Sequence, residues 1–284
     1  MTTQSQIWQD MWESAISRSS LNHRMNSIST KEGLNLSAES WYKNYDHKFD
    51  LDDLQKKPEF EEEFNRLKRF ITKDSTALDI GAGMGRLAVP LAKEVRKLTA
   101  IEPARVHMNI MKDKAVRDGV DDIVFYEDIW SNFPLQEKYD LVYSTWCPAV
   151  NDPAALMKMN EASRGYCILV LAATPPNVWD FSGQIYPMIM GEEFQPPGNY
   201  LNIVTTLYDH GIYANIETWR FDRVLRHQTM EEAVEIWKMN LENYTRVNGE
   251  MEEKLRQFYR SRMNPDGSYT FNLNGVSCMI WWHV

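Results

Sequence analysis

Asp79-Ile80-Gly81-Ala82-Gly83-Met84-Gly85 stands between a short apolar run, Ala77-Leu78-Asp79-Ile80, and a segment with Leu87, Leu91 and Val95 at helical spacing. Glycines between a strand and a helix let the backbone turn tightly and come close to a ligand that a Cβ would obstruct. The spacing excludes two other nucleotide loops. A dinucleotide-binding Gly-x-Gly-x-x-Gly needs its last glycine at position 86, which is Arg86, and a phosphate-cradling loop needs a Lys-Ser/Thr ending that is absent.

Outward from this loop, residues 76 to about 173 repeat one theme, a short apolar run followed by a helix-period segment or a loop. That alternation predicts helices around a parallel sheet. Further strands are expected at Leu98-Thr99-Ala100-Ile101, Ile123-Val124-Phe125-Tyr126, Leu141-Val142-Tyr143 and Cys167-Ile168-Leu169-Val170-Leu171. Met108, Met111 and Ala115 mark one intervening helix face and Leu156, Met159 and Ala162 another. The spacing further predicts a helix over 200–210, a strand over 212–224, a helix opened by a capping box at Thr229-Met230-Glu231-Glu232, and a final sheet strand at Val276 to Trp282.

These patterns divide the chain into an N-terminal helical extension or lid over residues 1–72 and a sheet domain over 73–284. In the extension Ile7, Met11, Trp12 and Ile16, and then Phe60, Phe64, Leu67 and Phe70, recur at helical spacing. The sheet domain carries an insertion at about 174–199, proline-flanked with Trp179, Phe181, Tyr186 and Phe194 in its middle, and a helical insertion at about 229–262. The first insertion is expected to form a mobile wall or cover, since it leaves the carboxyl edge of the sheet.

The acidic residue two places before the first glycine, the Gly-x-Gly-x-Gly core, and Glu102 at the end of the second strand together resemble the class I S-adenosylmethionine-dependent methyltransferases. The resemblance implies a Rossmann-like α/β fold with a mostly parallel seven-stranded sheet flanked by helices, and with the extension and insertions over the active site. It implies S-adenosyl-L-methionine as cofactor and S-adenosyl-L-homocysteine as product. By position, Asp79, Gly81, Ala82, Gly83 and Gly85 would hold the methionine part, and Glu102, followed by Pro103, would accept from the ribose hydroxyls. Asp128 would receive the adenine amino group, with Ile129 and Trp130 as walls. Ser144 opens the loop after the fourth strand, which would border the methyl group, and Tyr42 belongs to an aromatic segment, Ser40 to Asp46, that would fold over the cofactor.

Methyl transfer from a sulfonium is an in-line displacement that alignment alone can accelerate, so no conspicuous catalytic residue is required. Tyr45, Trp146 and Asp152 are the candidates. Asp152 also stands where the N-cap of the helix through Leu156 belongs. Cys147 reads as a packing residue, because its neighbours do not match the enzymes that use a cysteine on pyrimidine carbon. No metal site is suggested.

With 31 basic against 40 acidic side chains and a formal charge of -9, the chain would repel a polyphosphate, which disfavours nucleic acid. A small-molecule acceptor with an apolar or aromatic body is therefore expected. An RNA or protein methyltransferase and a non-catalytic cofactor-binding protein stay open as alternatives, as does a homodimer through the helices after 229. Three scattered cysteines, no leader-like N-terminus and no run of roughly 20 apolar residues point to a cytoplasmic protein outside the membrane.

Overall fold

The structure, a computed structural model, describes residues 4–24, 30–44 and 51–284. β1 (Thr76–Ile80) is buried at every position, as a central strand covered on both faces must be. Ala77 faces one hydrophobic core while Leu78 and Ile80 face another, which is the two-residue strand period. With β2 (Lys97–Ile101), β3 (Ile123–Tyr126), β4 (Tyr139–Thr145), β5 (Ser163–Ala172), β6 (Asn215–His227) and β7 (Tyr269–His283) it forms one seven-stranded sheet in the order β3-β2-β1-β4-β5-β7-β6. Strands β1 to β5 are parallel, and β7 runs antiparallel to both β5 and β6. The five core strands and the inserted final strand agree with the sequence pattern. β7 extends beyond its apolar run at both ends, and β6 begins at Asn215 and runs on to His227, later at both ends than the expected 212–224.

The helices are α1 (Gln4–Ser17), α2 (Lys31–Asn44), α3 (Leu51–Gln55), α4 (Pro58–Lys68), α5 (Ala88–Ala92), α6 (Arg105–Arg117), α7 (Pro153–Ala162), α8 (Tyr186–Met190), α9 (Tyr200–Asp209), α10 (Met230–Glu242) and α11 (Gly249–Arg260). On one face of the sheet, Leu67 of α4, Leu91 of α5, and Met108 and Met111 of α6 join a common core. On the other, Trp12 of α1, Leu156 and Met159 of α7, and Ile203 and Leu207 of α9 do the same. Trp282 of β7 is fully buried there, and its indole N–H donates to Asn160 Oδ1 at 2.8 Å, which ties the last strand to α7.

Three expectations need correction. Ile7 and Met11 are exposed, because α1 turns only the Trp12 and Ile16 side toward the sheet. Val95 lies past the end of α5, although it is buried. At the start of α10, Thr229 accepts from the amide of Glu232 as a capping residue should, but Glu232 reaches back to the amide of Gln228 instead of Thr229.

The largest departure is at 174–199. β6 and β7 stay paired from Asn215 opposite Trp281 to His227 opposite Tyr269, whereas β5 leaves β7 at Ala172 opposite Ser277. Past that point β6 and β7 run on as a two-stranded ribbon beyond the carboxyl end of β5. A third core gathers on the ribbon: Tyr269 and Phe271 of β7, Trp237 and Leu241 of α10, Leu255 and Tyr259 of α11, and Ile185 and Ile189. The segment expected to be a mobile wall thus contributes a π-helical turn at Phe181–Ile185 and α8 to a packed core. It is bonded to the ribbon by Trp179 Nε1 to Asn274 O at 3.3 Å and to the end of α11 by Arg262 to Asp180 at 3.0 Å. It also meets the N-terminal extension, where Trp12 Nε1 donates to Pro197 O at 3.2 Å.

At the opposite edge of the sheet, Asp140 accepts from Thr76 N at 2.7 Å and from Arg164 Nε at 2.8 Å, joining β1, β4 and β5. The Arg164 guanidinium beside it, helped by the Thr76 bonds, brings the Asp140 carboxyl down to about 2. A lowered folded value contributes stability above the ordinary carboxylate pKa that is lost as pH falls through the folded one. Asp140→Asn should therefore be less stable than the parent by about 1 kcal/mol at pH 7, a figure kept small because both side chains are partly in water. In urea unfolding at steps from pH 7 to pH 2.5 the gap should narrow below about pH 4; a gap that ignores pH would show that the ion pair is not its source.

Candidate cofactor and acceptor site

At the carboxyl edge of β1, β2 and β4 the chain turns into loops that bound a cavity of about 790 Å³. The glycine loop is pinned to the end of β2, because Gly81 N and Ala82 N both donate to Ile101 O at 2.9 Å, and Gly85 N closes the turn onto Ala82 O at 3.0 Å. Gly81 has φ +78°, and a Cβ there would lie 2.0 Å from Cys147 Sγ, so this position has room for hydrogen only. Gly83 has φ +56° with no atom within 4 Å of where a Cβ would be, and it opens onto the cavity.

Glu102 binds this turn. Its Oε2 accepts from Gly83 N at 2.9 Å and its Oε1 from Ala104 N at 2.8 Å, while the residue lines the cavity, 7% exposed. Burial pushes its carboxyl up, and the Ala104 amide, the His107 charge and the Gly83 amide pull it back. A carboxylate has about four lone-pair sites. Two amides leave it able to accept from two hydroxyls, so the open cradle at Gly83 and the Glu102 carboxylate fit an S-adenosyl group.

Asp79 does not line the cavity. It is buried behind the loop beside Tyr143, and desolvation raises its carboxyl to about 7. Ala82 packs on the first core, and the space at Gly85 is closed by Met111 and Val89. Pro103, Ile129 and Trp130 form the wall beyond Glu102. Trp130 is fixed by its N–H to Ala155 O at 3.1 Å. Asp128 lies outside the lining, and its Oδ1 accepts from Ile129 N at 2.8 Å and Asn132 Nδ2 at 3.0 Å.

Past β4, the Ser144 hydroxyl donates to Ile80 O at 2.8 Å and holds β4 to β1 without reaching the cavity. Trp146 does reach it, with φ +54°, the one non-glycine at positive φ among the described residues. Such a conformation costs of order 1–2 kcal/mol and marks functional sites. Its ring meets Phe221 edge-on at 6.0 Å. Burial pushes the Cys147 thiol up to about 12, and the charges of Glu102 and Asp79 act in the same direction, so it lines the cavity as a neutral wall. Asp152 also lines it, but its Oδ1 accepts from Ala155 N at 2.7 Å as the N-cap of α7, which favours the capping role over that of a base.

The remaining walls were missed by sequence reasoning. Leu34, Ser37 and Ala38 of α2, Ile16 of α1, and Arg24 close the cavity from the N-terminal side. α2 is held over α6 by Asn35 Oδ1, which accepts from Arg105 N at 2.7 Å. Leu34 and Ala38, four residues apart, were a legible helical stripe. Tyr42, a turn further along, is outside the lining, and Tyr45 lies outside the described residues. Trp179, Phe181, Tyr186 and Phe194 are not among the lining residues either, since Phe181 and Tyr186 pack with Trp237 and Tyr244.

The strand order with a single antiparallel strand, the glycine turn after β1 and the acid ending β2 define the Rossmann-like fold of class I S-adenosylmethionine-dependent methyltransferases. Residues 77–164 match the family model described as "Methyltransferase domain". Over residues 77–164 the chain thus matches a methyltransferase domain, and its fold is the one that class I methyltransferases, whose cofactor is S-adenosylmethionine, share. It is 32% identical over 85 residues to a Methanosphaera stadtmanae protein named "Probable ribosomal RNA small subunit methyltransferase A". That stretch covers 29% of this chain and 30% of the relative, well under two thirds of the relative's length. Its fold is similar to a Bacillus halodurans protein solved as a methyltransferase candidate (TM-score 0.54, 16% identity, 78% of this chain and 98% of that one). It is similar also to magnesium protoporphyrin IX methyltransferase of Synechocystis, solved with bound S-adenosylhomocysteine (TM-score 0.52, 15% identity, 69% and 92%).

Two outcomes follow. Gly83→Ala should lower the melting temperature only as far as a left-handed alanine requires, about 1–2 kcal/mol, while weakening S-adenosylhomocysteine binding in calorimetry; Gly81→Ala should destabilise more, because it also displaces Cys147. Separately, a raised carboxyl pKa means that stability falls as pH rises between the ordinary value and the folded one. In the ligand-free protein, Asp79→Asn should gain on the parent as pH rises from 4 to 7, by up to about 1.4 kcal/mol per pH unit. Parallel stability curves in urea unfolding would mean that Asp79 stays ionised.

Proposed function

We propose that the protein transfers the methyl group of S-adenosylmethionine to a small-molecule acceptor bound between Trp146 and the N-terminal cover. The observation that carries this reading is one cavity lined together by Glu102 and Gly83, by Trp146 and Asn151, and by Ile16, Leu34 and Ala38 of the extension. Its volume of about 790 Å³ is in the range of small-ligand sites. Glu102 and Gly83 would hold the ribose and the methionine part, with Ile129 and Trp130 beside the adenine. The cofactor, when bound, supplies an activated methyl group. The chain's own part is to align the acceptor at near-attack distance and to keep water out, and Trp146, held in an unfavoured backbone conformation at the end of β4, is the aligning residue on this reading. The apolar walls Ile16, Leu34 and Trp146 favour an acceptor with an apolar or aromatic body.

The ribosomal RNA relative supports a second reading, methylation of RNA, against which the formal charge of -9 weighs. Free thiols at Cys147, Cys167 and Cys278 suit a cytoplasmic setting, and among the described residues no helix is long and apolar enough to cross a membrane. The buried stripes of α10 and α11 are spent on the third core, which gives no support to dimerisation through them.

Glu102→Ala should weaken S-adenosylmethionine and S-adenosylhomocysteine about 10- to 100-fold in calorimetry, the loss of a charged acceptor to two hydroxyls. With methyl-labelled cofactor, label from the parent should enter the small-molecule fraction of a metabolite extract and not total RNA. Label in RNA alone would establish the second reading, and absence of cofactor binding by the parent would refute both.

A further inference from the structure

We propose that Arg24 is an anion-binding residue of the acceptor site, so that the methylated molecule carries a carboxylate. This rests on the reading of the cavity given above and names its substrate class. Besides the neutral thiol of Cys147, five charged or titratable side chains line the cavity among the described residues: Arg24, Glu102, His107, Asp152 and Lys158. Four are engaged within the protein. Glu102 accepts two backbone amides, Asp152 caps α7, His107 lies 3.9 Å from Glu102, and Lys158 Nζ donates to Trp130 O at 2.7 Å and to Ser131 O at 2.9 Å. The Arg24 guanidinium differs. Among the described residues it has no carboxylate within 4.0 Å, its Nε is buried without a hydrogen-bond partner, and its contact is the face of Tyr244, 5.5 Å from the ring centroid. A buried donor left unpaired is costly. A guanidinium set on an aromatic ring keeps its edge of N–H groups for a ligand, and that planar fork matches a carboxylate.

Where Arg24 sits decides which ligand it serves. It follows a 3-10 turn at Ser20–His23 that is strapped to the 174–199 insertion: Ser20 N donates to Gln195 O at 2.9 Å, Gln195 N donates to Ser20 Oγ at 2.9 Å, and His23 stands 3.6 Å from Glu192. Tyr244 follows α10 and packs on Phe181, Tyr186 and Phe194. All these elements lie on the β5–β7 side of the sheet. Glu102 and Trp130, which mark the nucleoside end, follow β2 and β3 on the other side. A carboxylate at Arg24 therefore faces the acceptor region. The cofactor's own amino-acid carboxylate is the other source of the same chemistry, and the experiment separates the two.

Benzoate, cinnamate and indole-3-acetate, with their uncharged amides as controls, are titrated calorimetrically into protein saturated with S-adenosylhomocysteine. At least one acid should bind the parent, at least tenfold tighter than its amide. Arg24→Gln should weaken that acid about 30-fold, as expected for a lost bidentate charged pair, while changing S-adenosylhomocysteine affinity less than twofold. Arg24→Lys, which keeps the charge without the fork, should fall between. Three results overturn the proposal: no acid binding to the loaded parent, equal binding of acid and amide, or an Arg24→Gln variant that loses cofactor-product affinity instead. If S-adenosylhomocysteine does not bind the parent at all, the underlying reading of the site fails with it.

Discussion

The carboxylate of Glu102, held between the amides of Gly83 and Ala104, is the contact on which the site depends. It joins the turn after β1 to the end of β2, and so sets the floor of the cavity. Burying a carboxylate is costly unless donors compensate. Here two backbone amides do so, and a carboxylate that lines the cavity keeps further lone pairs. Its charge, with that of Asp79, also acts on Cys147, which burial already holds as a thiol, so the loop after β4 offers a wall and not a nucleophile.

A second dependency runs through β7. Because β7 lies antiparallel between β5 and β6 and outlasts β5, the sheet continues as a ribbon on which the third core is built. That core fixes the 174–199 insertion, Gln195 in the insertion fixes the turn at Ser20–His23, and the turn delivers Arg24 to the cavity wall. One wall of the cavity is thus positioned by residues more than 170 places away in the chain.

The matched methyltransferase span ends at residue 164, at the start of β5. The glycine turn, Glu102 and Trp146 fall inside it; Ile16, Arg24, Leu34 and Ala38 fall outside. Parts that bind a common cofactor share a common geometry. Trp146 and Asn151, across the cavity lining from the extension, belong to the matched span, whereas the cover over them comes from the extension.

How much was legible follows from the range of the forces involved. The turn at 81–85, the five core strands and the cap at Asp152 could be read from the sequence, because left-handed backbone, a two-residue period and a side chain reaching three residues on are local properties. The same locality misplaced the aromatic insertion, since Phe181 and Tyr186 look equally like a ligand wall or a core until Trp237 and Tyr244 are brought beside them. It also gave no hint of Trp146 at positive φ, a conformation disfavoured for a tryptophan and tolerated only when the surrounding structure imposes it. The fold class and the glycine turn were thus decided by the sequence, through neighbours a few residues apart. Which side chains face the cavity, Arg24 above all, was decided by the tertiary structure, because burial and ion pairing depend on what distant segments bring into contact.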